Sequence, residues 1–96
     1  MSLTEEDMET RSRILGCLYK RRKKFPKKPD AIRKDMLKEL RLEETVLDTH
    51  IKILSENYLV YIQTPMPNLV WTHAHITSKG AAQYEKEPPH IVGERK

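Results

Sequence analysis

Between residues 40 and 60 the chain carries two amphipathic patterns that almost touch. Upstream, Ile32, Met36, Leu37 and Leu40 recur at helical spacing, behind a Pro29-Asp30 pair in which Asp30 suits an N-cap. Downstream, Leu47, Ile51 and Leu54 fall at i, i+4 and i+7, one face of a helix expected over residues 44–56. Only Arg41-Leu42-Glu43-Glu44 separates them, with Leu42 as the one apolar plug. An earlier face of Ile14, Leu15, Leu18 and Tyr19 predicts a first helix over residues 5–23. Thr4 and Asp7 stand at capping-box spacing, with Leu3 and Met8 at staple positions. Arg11 shares the apolar face, so the first turns are expected to project beyond the core. Phe25-Pro26 ends this helix, and Phe25 is expected to tuck inward.

After residue 58 the period changes. β-branched, aromatic and small residues predict strands over 59–64 and 69–76 around the tip Pro65-Met66-Pro67-Asn68. Alternation puts Val70, Thr72, Ala74 and Ile76 on one face and Leu69, Trp71, His73 and His75 on the other. Thr77 suits the N-cap of a last helix that ends near Glu87, before Pro88-Pro89. The expected core is Ile14, Leu15, Leu18, Met36, Leu40, Leu42, Leu47, Ile51, Leu54, Val60 and Ile76.

Helix, turn, helix, hairpin is an order that resembles the winged helix-turn-helix superfamily, typified by small prokaryotic transcriptional regulators. Leu40, Leu42, Leu47, His50, Ile51, Leu54, Leu59 and Val60 follow its pattern without a gap, and Ile76-Thr77-Ser78-Lys79-Gly80 looks like its step from wing to closing helix. The resemblance implies an α+β winged helix: a three-helix core with a helix-turn-helix, a two-stranded β-hairpin wing and a short C-terminal helix. One domain is expected over residues 1–96, folded over 4–87, with 88–96 a frayed tail. Arg41 and Tyr58 stand where the family has glycine. Arginine implies a turn without a positive φ or one under modest strain. Asn57, which tolerates the left-handed conformation, is expected to turn the chain out of the third helix.

Charge adds a second layer. The net charge is +4, and residues 1–30 hold nine Lys/Arg against five Asp/Glu, whereas residues 58–76 hold neither sign. Seven cations crowd residues 20–28: Lys20, Arg21, Arg22, Lys23, Lys24, Lys27 and Lys28. Such a run reads either as a phosphate-binding patch or as a solvated helix end that complements the dipole. No apolar run reaches membrane-spanning length, no hydrophobic segment opens the chain, and Cys17 has no cysteine to pair with. The expected compartment is the reducing cytoplasm, with no membrane partner.

Little points to catalysis. The three glycines are scattered, so no loop cradles a phosphate, and no nucleophile sits in a known motif. His73 and His75 lie two apart on a strand, but a closed zinc site needs about four ligands. Cys17, near Arg13, Lys20 and Arg21, reads as a packing residue, or as a thiol whose pKa these cations lower. A non-enzyme without metal or cofactor is expected.

The resemblance implies double-stranded DNA as partner, with the third helix in the major groove. Thr45, Asp48, Thr49 and Lys52 face outward there and are the candidate base-reading residues, with Met66 and Asn68 at the wing. Glu43, Glu44 and Asp48 speak against this, because carboxylates repel phosphates. The wing tip carries no cation. The competing reading is a protein-interaction module, with a partner docked on Tyr61, Met66, Leu69 and Trp71 of the wing. A homodimer is also expected, since dyadic operators mirror dimers.

Overall fold

A computed structural model of the protein describes residues 4–66 and 70–86. The order is α1 (Glu5–Lys24), β1 (Ala31–Ile32), α2 (Arg33–Leu40), α3 (Glu44–Glu56), β2 (Val60–Gln63), β3 (His73–Ile76) and α4 (Ser78–Lys86). This is the winged-helix topology, with helices packed against a small antiparallel sheet. Leu3, Asn68, Leu69 and the expected tail, on which the staple, the wing tip and the frayed end were placed, lie outside the described residues.

α1 starts as its sequence dictates. The Thr4 hydroxyl accepts from the Asp7 amide at 3.0 Å, and the Asp7 carboxylate accepts from the Thr4 amide. Ile14, Leu15 and Leu18 are buried against Met36, Leu40, Leu47, Ile51, Leu54, Val60 and Ile76. Every expected core residue is there, with Leu42 half-buried at the turn. Phe25 is not. It caps α1 at 44% exposure, with the Arg21 guanidinium 5.3 Å from its ring, because the cationic helix end keeps it at the surface.

α2 begins at Arg33 and not at Asp30. Residues 31–32 are a strand, with Ala31 opposite Ala74 and Ile32 opposite His73, so the sheet has three strands in the order β1-β3-β2. Asp30 holds the His75 ring at 2.8 Å and does not cap a helix. The Arg33 amide donates to the Thr72 carbonyl, which ties the start of α2 to the entry of β3. Ile32 consequently faces outward, at 43% exposure.

The turns that end α2 and α3 both use left-handed residues. Arg41 has φ 55°, and the Leu42 amide returns to the Leu37 carbonyl. At the end of α3 it is Tyr58, at φ 64°, that turns the chain, while Asn57 stays at φ −94°. The Tyr58 amide donates to Ser55 O and the Leu59 amide to Leu54 O, the two bonds of a Schellman motif. The Asn57 amide group is spent on the Ile53 carbonyl. A non-glycine residue in this region costs about 1–2 kcal/mol, so each turn carries modest strain. Gly80 is needed for a different reason. A Cβ there would stand 2.1 Å from the Leu59 carbonyl oxygen, so only glycine lets α4 approach the start of the wing.

The strands are shorter than the alternation predicts. Ala74 and Ile76 face inward and His73 and His75 outward, as expected. Trp71 departs from the pattern: it precedes β3 and is buried at 5% exposure, not presented on the outer face. Period-2 reasoning holds only inside a regular strand.

Truncation tests the centre of this core. Ile51→Ala is expected to lower unfolding free energy by roughly 2–5 kcal/mol. Urea denaturation measures it, and a loss under about 1 kcal/mol would mean that α3 is not packed through this face.

Candidate nucleic-acid interface

α3 has no side-chain cap, and its amphipathicity alone fixes which face is free. Leu47, Ile51 and Leu54 point inward, and Thr45, Thr49, Lys52 and Glu56 are exposed. His50 is buried on the flank. Arg11 Nε donates to its Nδ1 at 3.0 Å, which fixes the tautomer with the proton on Nε2, 3.6 Å from Asp7 Oδ1. Burial, and then the Arg11 charge, push the His50 pKa below its ordinary value, so the ring is neutral and the Asp7 contact is not an ion pair. Arg11 therefore serves the packing of α1 on α3.

Asp48 behaves unlike its exposed neighbours. Its Oδ1 accepts from Arg33 Nε at 3.0 Å and from Trp71 Nε1 at 2.9 Å, and its Oδ2 accepts from Arg33 Nη2 at 2.8 Å. One carboxylate thus joins α2, α3 and the entry of β3. The Arg33 fork holds the Asp48 pKa below the usual carboxylate range, with Trp71 assisting. Glu44 stands 3.5 Å from the same guanidinium. The repulsion that Asp48 would offer a phosphate is largely neutralised, and its acceptor capacity is committed within the fold. Sequence spacing does not reveal this, because Arg33, Asp48 and Trp71 lie far apart along the chain.

The basic run lies along the last turn of α1 and the loop after it. Lys20, Lys23, Lys24, Lys27 and Lys28 are exposed, and Arg21 and Arg22 are half-buried. Arg21 Nε donates to the Asp30 carbonyl at 2.7 Å, and Lys23 lies 5.4 Å from the Tyr19 ring centre. Among the described residues, none of the seven forms an ion pair with a carboxylate, and none is hydrogen-bonded to α3. Of the run, Arg22 and Lys23 line grooves beside the sheet and α4, shared with Tyr61, His75 and Ala81. At the wing, Met66 is 61% exposed, and Asn68 lies outside the described residues.

The remaining chemistry is spare. Burial, and then Glu39, raise the Cys17 thiol to about 11, against the lowering its basic neighbours suggest, so it is a poor nucleophile at neutral pH. Among the described residues no group of three or more His, Cys, Asp and Glu could hold a metal ion, and no helix is long and apolar enough to cross a membrane. Compared with protein-family models, curated proteins and solved structures, the chain matches none.

The Asp48 junction gives a pH prediction. A depressed carboxylate pKa stabilises the fold fully above the ordinary Asp value of about 4, and that stability is lost as pH falls through the folded value. Asp48→Asn should lower stability at neutral pH by about 1–3 kcal/mol, as the Arg33 charge loses its partner. It should also shrink the stability lost on acidification below about pH 4. Urea titrations at several pH values, read by Trp71 fluorescence, measure both. An unchanged acid limb would rule out this junction as its source.

Proposed function

We propose that this chain is a DNA-binding winged-helix protein, a transcriptional regulator without enzymatic activity that acts on double-stranded DNA. The observation that carries the reading is the exposed side of α3. It offers Thr45, Thr49 and Lys52 to a major groove, while the carboxylate between them, Asp48, is drawn back onto Arg33. Hydroxyls and an ammonium suit base edges and phosphates. The seven cations of residues 20–28, none of them ion-paired to a carboxylate among the described residues, supply long-range attraction for a polyanion, effective within about 10 Å at 0.1 M salt. The exposed Met66 is suited to packing beside the duplex.

Thr49→Ala and Lys52→Ala should change the preference among duplex sequences by about 1–3 kcal/mol where the side chain reaches a base edge. Replacing Lys23, Lys24, Lys27 and Lys28 by glutamine should weaken all duplexes alike and flatten the salt slope by up to about 0.9 for each phosphate no longer neutralised. Titration of selected and random duplexes over a salt series reads both. A flat salt slope for the unaltered protein would overturn DNA binding and favour the protein-interaction module. That second reading is supported by the exposed Tyr58, Tyr61, Met66 and Val70 around an uncharged wing, but no longer by Trp71, which is buried.

A homodimer belongs to the same proposal, since a single small module covers little duplex. On the surface of α1, Met8 is 38% exposed and available to a second copy, whereas Leu15 and Trp71 are buried within the chain. Sedimentation at high micromolar concentration should show a dimer, and a monomer there would remove this part.

A further inference from the structure

The outer face of the sheet meets the cationic end of α1 at a groove of about 520 Å³. Arg22, Pro26 and Pro29 line it from the helical side, and Tyr61, His75 and Ser78 from the sheet and α4. A second groove of about 510 Å³ shares Arg22, Pro26 and Ser78 with the first and adds Lys23. Among the described residues, no carboxylate lines the first groove. Glu85 lines the second, where it accepts from the Tyr19 hydroxyl.

Two rings stand over the first groove. Tyr61 and His75 are cross-strand partners, and their rings stack at 5.1 Å between centres with 28° between planes. The Asp30 carboxylate meets His75 Nδ1 at 2.8 Å. Tyr61 lies on β2, one of the two edge strands of the sheet, and is 55% exposed. A ring held by a stacking partner has already lost much of its rotational freedom, so using its exposed surface costs little further order. Its cationic neighbour in the groove is Arg22, with Lys23 in the adjoining groove.

This pairing of features selects among polyanions. A duplex keeps its bases stacked inside and can use the cations but not the ring. A single strand offers unstacked bases to the ring and phosphates to the cations together. We propose that this groove binds single-stranded polynucleotide, with a base stacked on Tyr61 and flanking phosphates on Arg22 and Lys23. The proposal rests on the reading that the chain binds nucleic acid, but it uses a surface separate from the exposed side of α3. The chemistry is shared by DNA and RNA strands.

Fluorescence anisotropy with labelled oligo-dT and oligo-rU of about ten nucleotides tests it, with a duplex of the same length alongside. Both strands should bind, and a preference for oligo-rU would assign the site to RNA through its 2′-hydroxyls. Tyr61→Ala should weaken strand binding roughly 5- to 150-fold and leave duplex binding unchanged, whereas Tyr61→Phe should retain it. Arg22→Gln should lower the salt slope for strands by about 0.7. Circular dichroism checks that each variant is folded. Strand binding that survives Tyr61→Ala overturns the proposal, as does no strand binding at all, or equal displacement of the strand by polyglutamate. Duplex recognition by α3 is judged separately, by Thr49→Ala and Lys52→Ala. If those leave duplex binding untouched while Tyr61→Ala abolishes strand binding, the duplex reading falls and this one stands.

Discussion

The carboxylate of Asp48 is where the three parts of this small fold are fastened together. Hydrophobic burial packs α1, α2, α3 and the sheet, but burial is non-directional and sets no angle by itself. Two oxygens that accept from the Arg33 fork and the Trp71 indole do set one. Trp71 is the largest side chain of the buried set and carries an N–H that must find an acceptor once water is excluded. The Arg33 backbone amide, bonded to Thr72, closes the same junction from the main chain. One charge-assisted network therefore ties α3 to α2 and to the entry of β3, beside the apolar face that fixes which side of α3 is free.

That network changes how the charges on α3 count. Read along the sequence, Glu43, Glu44 and Asp48 make the third helix look hostile to phosphate. In three dimensions Asp48 is bound to a guanidinium, and Glu44 is 3.5 Å from it. The cations meanwhile gather on another surface, beside the outer edge of the sheet. The chain thus separates a mildly acidic α3, with Asp48 neutralised by Arg33, from a strongly basic flank. In the proposed function, long-range attraction and close-range chemistry would be carried by different elements, each open to change without the other.

Much of the fold is legible from sequence because its helices are strongly periodic. Ile14, Leu15 and Leu18, and later Leu47, Ile51 and Leu54, can be buried only if each segment is a helix seen from one side. The capping box at Thr4 and Asp7 is equally local. What escapes is non-local or too short to have a period. Two residues, Ala31 and Ile32, carry no alternation, so β1 is invisible until β3 is beside it. Asp30 looks like a cap because its partner, His75, lies far along the chain. Tyr58 takes the left-handed position that Asn57 suits better, because the Schellman bonds to Ser55 and Leu54 fix the position of the turn. Of the candidate site, the exposure of Thr45, Thr49 and Lys52 follows from helical spacing alone. The engagement of Asp48 and the neighbours of Tyr61 do not.

The two-residue strand β1 also bears on how the chain reaches this state. It has almost no local interactions to hold it, and its partners on β3 come after α2, α3 and β2 in the chain. Closing so long a loop is entropically costly, and two residues return little for it until the hairpin is already in place. Docking of β1 is then a late event in folding and an early one in partial opening. Since β1 directly follows the basic loop, a partner that grips this flank adds its binding energy to the segment with the least of its own. Occupancy there would slow the first step of unfolding and lengthen the lifetime of the whole fold.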